Sequence, residues 1–225
     1  MFGLTPPPSS SMSLGDLKRL VKTGEGTFLE FKKTISSPEK IARELCAFAN
    51  TKGGILLIGV SDDKTIPGVP SFYEEQYLLA EATSILCDPP VNHSVEIVET
   101  GIKEVIVVKV EEAELKPVFV KMNGRKFAYI RQGDKSVRAS LEKTELMRLG
   151  SRNEGVTFQY GQNEQKLFRF LNEYDKITVS EYSNLIAVNK RTSARILVNL
   201  VSIGVLKLFS GNEHPDYFML SKNPF

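Results

Sequence analysis

Seven consecutive residues, Asn189-Lys190-Arg191-Thr192-Ser193-Ala194-Arg195, carry three cations and no acid. Lysine and arginine at that density can neutralise phosphates, and an arginine fork can also bond a guanine edge. Thr192 and Ser193 can reach either a phosphate or a base. A second cationic stretch holds Lys121, Arg125, Lys126, Arg131, Lys135 and Arg138, with Asp134 the only acid between residues 121 and 138. A basic run of this kind is either a solvated face or a surface for a phosphate backbone. Tyr129 and Arg131 alternate with Ala128 and Ile130, so on a strand the two share a face. There a ring can stack a base while a guanidinium holds a phosphate. Arg131 can equally bridge an acid such as Glu30 across a sheet.

Among the acids, Glu25, Glu30 and Asp62 are the set that could do chemistry. Glu30 falls inside an expected strand, where a carboxylate must face water or a partner; Lys32 and Arg131 are the available partners. Asp62 follows the C-terminal end of a strongly apolar strand, a usual place for sites in α/β sheets. It can equally cap the turn Asp62-Asp63-Lys64-Thr65. Lys+Arg of 29 against Asp+Glu of 27 leaves a formal charge of only +2, so local distribution, not total charge, carries the information. With two histidines, His93 and His214, and two cysteines, Cys46 and Cys87, in no CxxC spacing, no ordinary zinc site assembles. Free thiols in a reducing cytoplasm are expected. The apolar run Ile55-Leu56-Leu57-Ile58 is far too short to span a bilayer, and the Pro/Ser-rich start has no signal-like pattern, so no membrane partner is expected.

Positioning these residues requires elements that the pattern supplies. After a disordered leader over residues 1–12, a short helix is expected from Ser13 to Val21 and a strand from Thr27 to Lys33. Ser37-Pro38-Glu39 has the cap, first-turn proline and early acid of a helix start, followed by Ile41, Leu45 and Phe48 at helical spacing. Gly53-Gly54 breaks that helix, either as a plain helix-to-strand corner or to let a phosphate backbone approach. Ile55 to Val60 reads as a central strand covered on both faces. A helix over Tyr73–Leu86, strands over 95–98 and 105–110, a hairpin at Asn123-Gly124 joining strands 118–121 and 127–131, and a closing helix over Ser140–Leu149 complete a domain over residues 13–149. Residues 150–161 read as a linker. Residues 162–225 then run helix, helix, helix, strand, polar tip, strand, with helices expected over 162–173, 178–185 and 189–203. This is the order of a winged helix-turn-helix, and it places the Asn189–Arg195 cations where such a motif reads bases. Winged helices also serve as protein-docking modules. The fold class expected is α+β: a mixed-sheet domain followed by a small winged-helix domain.

Five short motifs stand in fixed order: Glu25-Gly-Thr-Phe-Leu-Glu30-Phe31-Lys32, Ala47-Phe48-Ala49-Asn50-Thr51-Lys52-Gly53-Gly54, Ile58-Gly59-Val60-Ser61-Asp62-Asp63, Lys116-Pro117-Val118 and Ala128-Tyr129-Ile130-Arg131-Gln132-Gly133. Together they resemble the Schlafen-type Alba-like domain over about Gly24 to Leu149. The resemblance implies nucleic-acid binding. Relatives in that family that cleave RNA carry three catalytic acids, which by motif position would be Glu25, Glu30 and Asp62; as a metal site these would hold Mg²⁺ or Mn²⁺. ATP binding, which the resemblance also suggests, is not expected, because no G-x-x-x-x-G-K-[ST] loop occurs in the chain. The expected function is therefore DNA binding in transcriptional control, DNA favoured over RNA, by a homodimer without a resident cofactor. Lys121, Arg125, Lys126, Tyr129, Arg131, Lys190, Arg191, Thr192 and Arg195 are the expected contacts. A metal-dependent nuclease for RNA or single strands is the alternative, so whether the chain is an enzyme stays open at this point.

Overall fold

The start signal at Ser37-Pro38 acts as its chemistry requires. The Ser37 hydroxyl accepts the Lys40 N–H, and Pro38 takes the first helical position, where a missing N–H costs nothing. The computed structural model describes residues 11–151, 160–210 and 214–221. The expected leader up to residue 10, the linker over 152–159 and residues 211–213 of the polar tip lie outside them. The chain divides into two compact units, Met1–Arg138 and Ala139–Phe225.

In the first unit, α1 (Leu14–Thr23), β1 (Leu29–Lys32), α2 (Pro38–Asn50) and β2 (Gly54–Ile58) follow in order. After α3 (Phe72–Ala80) the chain widens into a π-type turn over Glu81–Leu86, where a continuous α-helix was expected. Then come β3 (Cys87–Asp88), β4 (His93–Glu99) and β5 (Glu104–Val110). The main sheet has the order β1-β2-β5-β4; β1 runs parallel to β2, and the other pairs are antiparallel. Leu56, Ile58, Ile106 and Val108 point into a core with Ile41, Leu45 and Phe48 of α2. Leu57, Val105 and Val107 point the other way, against Leu17 and Val21 of α1. A strand covered on both faces has no solvated side on which to place polar residues, hence the unbroken apolar run.

β6 (Phe119–Met122) and β7 (Arg125–Phe127) form the expected hairpin, with Asn123 and Gly124 both at positive φ, as a tight primed turn demands. The strand expected to run from Phe127 to Arg131 is broken at Ala128. β8 (Tyr129–Gln132) leaves that sheet and pairs instead with β9 (Lys135–Arg138) around Gly133, at φ +63. Two hairpins back to back read in the sequence as one hairpin and an exit loop.

In the second unit, α4 (Leu141–Gly150), expected to close the first domain, packs on α7. Its N-cap, Ser140, also donates to Asp216 at 2.5 Å, within the same unit. α5 (Gln162–Tyr174), β10 (Lys176–Thr178), α6 (Val179–Ile186), α7 (Lys190–Ser202), β11 (Leu206–Phe209) and β12 (Tyr217–Leu220) follow. The three helices α5, α6 and α7 match the expected order. β10 is new, and it joins β11 and β12 in an antiparallel sheet of order β10-β12-β11. Leu167, Leu171, Tyr182, Leu197, Leu200 and Phe218 form this unit's core.

Candidate nucleic-acid interface

The C-terminus of α2 organises the first unit's polar residues. Asn50 is buried, and its amide bonds three backbone groups. Nδ2 donates to the carbonyls of Val118 at 2.8 Å and Tyr129 at 2.9 Å, while Oδ1 accepts the Val118 N–H at 2.7 Å. One side chain thus satisfies backbone groups of two segments that do not pair with each other there. Gly53-Gly54 serves the same corner. A Cβ at Gly54 would overlap the Phe48 ring, and one at Gly53, at φ +72, would lie 2.6 Å from the Val110 carbonyl oxygen. The close approach these glycines permit is by the protein's own ring and backbone, not by a phosphate.

Beside that corner, Arg131 of β8 is enclosed. Its side chain has 0% relative exposure, and Nη1 donates to Glu30 at 3.0 Å, Glu44 at 2.9 Å and Ser136 at 3.0 Å. Nη2 donates to the Gly26 carbonyl at 2.6 Å, and the guanidinium carbon sits 4.8 Å from the Phe48 ring centroid. Lys32 pairs with Glu30 from the other side, and Ser136 also donates to Glu44. A buried acid, Glu30, and a half-buried one, Glu44, balance two cations, Arg131 buried and Lys32 half-buried, and such pairing is the condition for keeping ions out of water. Burial raises the Glu44 carboxyl above its ordinary value and the Glu30 charge adds to that, opposed by Ser136, Lys32 and Arg131. Arg131, expected to hold a phosphate, is corrected to a structural residue. The bridge to Glu30 is the one of its two readings that the geometry takes.

The three acids expected to form a metal site do not assemble into one. Glu30 is held by Arg131 and Lys32. Glu25 accepts the Phe31 N–H at 2.8 Å, while burial, with the Glu30 and Asp62 charges as lesser causes, raises its carboxyl. Asp62 is exposed on the turn after β2. Among the described residues no group of three or more His, Cys, Asp or Glu side chains is arranged to hold a metal ion. Glu25, Glu30 and Asp62 are thus not gathered as three metal ligands in this geometry. The turn is capped by Asp63, not Asp62: Asp63 accepts from the Thr65 N–H at 3.0 Å and the Thr65 hydroxyl at 2.6 Å.

The remaining cations divide by partner. Lys121 and Arg125 are exposed on the β6–β7 hairpin and take part in no ion pair among the described residues, whereas Lys126 pairs with Asp88. Lys121 faces Lys126 directly across the ladder, a like-charge pair that a bound anion would relieve. Tyr129 is half-buried against the main core, with Arg43 5.9 Å above its ring, so it offers no open platform. Arg138 stacks 4.0 Å over Phe127.

In the second unit Asn189 caps α7 by accepting the Thr192 N–H at 2.9 Å. The first turns of α7 then expose Lys190, Arg191 and Arg195, with none of them in an ion pair among the described residues. Thr192 is half-buried at the cap, and Ser193 is fully buried, its hydroxyl donating back to the Asn189 carbonyl at 3.2 Å. Ser193, which its residue type would let reach a ligand, faces the core. Sequence reasoning also missed Glu44 and Glu75. Glu75 is a buried acid that accepts the Ile35 N–H at 3.0 Å, and both lie on helices where spacing alone reads them as solvent-facing.

A family model described as Schlafen, AlbA_2 matches residues 25–140. Among solved structures, the chain is similar to the DIP2311 protein of Corynebacterium diphtheriae, at 17% identity and a TM-score of 0.43, covering 60% of this chain and 30% of that one. It is also similar to the N-terminal domain of a Nitrosomonas europaea protein described as related to the ATP-dependent DNA helicase RecG, at 24% identity and a TM-score of 0.40, covering 58% of this chain and 95% of that one. The chain thus spans less than a third of the length of the Corynebacterium protein. Among curated proteins none matches. No helix of the described residues is long and apolar enough to cross a membrane.

Proposed function

We propose that this chain, which belongs to the Schlafen, AlbA_2 family, is a nucleic-acid-binding protein whose C-terminal unit is a winged helix that contacts DNA in transcriptional control. The observation that carries the reading is the start of α7, where Lys190, Arg191 and Arg195 are exposed and unpaired among the described residues. Exposed cations on one helical end gain most from a polyanion, because each phosphate they neutralise releases condensed counterions. The order α5-β10-α6-α7-β11-β12, with β12 between β10 and β11, supports α7 as the helix presented to a major groove. Lys121 and Arg125 on the first unit's hairpin supply a second, weaker cationic patch.

The test is fluorescence anisotropy with labelled duplex DNA over a salt series. Changing Lys190, Arg191 and Arg195 together to Ala should weaken binding and reduce the slope of log affinity against log salt by about 2.7, at roughly 0.9 per phosphate contact. Equal affinity and equal slope for the variant and the wild type would overturn the assignment of α7.

A further inference from the structure

The small sheet of the second unit has two chemically different faces. Ile177, Leu206 and Phe218 are buried against the helices, so strand alternation sends Lys176, Lys207, Phe209, Tyr217 and Met219 to the opposite face. On that face Phe209 and Tyr217 are direct cross-strand partners. Their rings stack with centroids 5.2 Å apart and planes 8° from parallel. Lys176 Nζ lies 5.5 Å from the Tyr217 ring centroid. The stack follows strand order: a cation from β10, a tyrosine from the central β12, a phenylalanine from β11. Because β11 is an edge strand among the described residues, the stack of described side chains ends on Phe209, which is 39% exposed. Lys207 stands two residues before Phe209 on the same face, about 7 Å along the strand, close to the reach from a base to its own phosphate. The carboxylate of the adjacent Asp216 is occupied by the hydroxyls of Ser140, at 2.5 Å, and Ser210, at 3.0 Å.

We propose that this sheet face binds single-stranded nucleic acid, with one unpaired base continuing the stack on Phe209 and its phosphate held by Lys207. A flat aromatic ring is the ligand that an open-ended aromatic stack accepts with least rearrangement, and the flanking lysines give the face the sign a phosphate backbone requires. Duplex bases have both faces covered by their neighbours, so this face selects unpaired strands while α7 serves the duplex. The inference rests on the reading that the chain binds nucleic acid, but it uses none of the α7 cations.

The full chain contains no tryptophan, so Phe209→Trp places a single reporter at the end of the stack. Titration with a single-stranded pyrimidine oligonucleotide should quench its emission, whereas the matching duplex should not. Phe209→Leu, which keeps apolar bulk but removes the ring, should weaken single-strand binding roughly 5- to 150-fold, the loss of one stacking contact, and leave duplex affinity unchanged. Lys207→Ala, a surface change that spares the fold, should lower the single-strand salt slope by about 0.7. If duplex DNA binds but the oligonucleotide leaves the tryptophan emission and the Phe209→Leu affinity unaltered, this inference fails and the α7 reading survives. If neither nucleic acid binds, both fail. A blue shift that grows with protein concentration without oligonucleotide would assign the face to a second copy of the chain and overturn the inference.

Discussion

The chain's two cationic stretches look alike as text and differ as surfaces. Between residues 121 and 138 the cations sit on two short hairpins folded against α2 and its neighbours. Arg131 is therefore drawn inward to Glu30 and Glu44, Lys126 is taken by Asp88, and Arg138 covers Phe127. Between 189 and 195 the cations sit on the outer side of a helix whose inner side carries Ser193 and Leu197 into the core. No acid is near enough in sequence to claim them. Strand alternation in small sheets puts every second residue inside, so a basic run there splits into structural and exposed members. A helical run with 3.6 periodicity can keep three cations on one side together. Density of charge is a weaker indicator of exposure than the element that carries it.

The comparison breaks first at Arg131. Arg131→Ala should cost about 3–5 kcal/mol in urea unfolding, because the buried Glu30 and the half-buried Glu44 would be left without their shared cation. A loss under 1 kcal/mol would return Arg131 to the exposed class. A subtler change sharpens the same point through pH. The Glu44 carboxyl is raised by burial, so its contribution to stability is fully present below its unfolded value near 4.5 and is lost as pH rises through the higher folded value. Glu44→Gln removes that titration, and the variant's melting temperature should therefore fall less than the wild type's as pH rises above 4.5. Parallel melting curves across the range would show that Glu44 does not titrate differently in the two states. The smallest effect is expected on the exposed side: Lys121→Ala with Arg125→Ala should change unfolding free energy by no more than about 0.5 kcal/mol. A larger loss would mean that these two also hold the fold.

Much of the scaffold was legible because it rests on local chemistry. Ser37-Pro38 announces α2, Asn123-Gly124 announces a hairpin, and the apolar run at β2 announces burial on both faces. The five ordered motifs identified the family over the first unit. The breaks were harder to see where the controlling contact is distant. Ala128 ends β7 because Tyr129 is captured by Asn50 at the far end of α2, and α4 joins the second unit through α7, long after it in sequence. β10, three residues long, is too short for any periodicity to register.

For the candidate site, residue type and spacing determined which side chains could meet a phosphate: the α7 cations, the hairpin cations, and a set of acids that could hold a metal. Only tertiary structure shows which of them are paired and which are exposed. Glu30 on β1 and Arg131 on β8 stand 101 residues apart, and whether such a pair meets depends on how sheets are laid on a helix, which no local pattern encodes. The same holds for the Phe209–Tyr217 stack, since cross-strand register is set by the hydrophobic faces of the whole sheet and not by either strand alone.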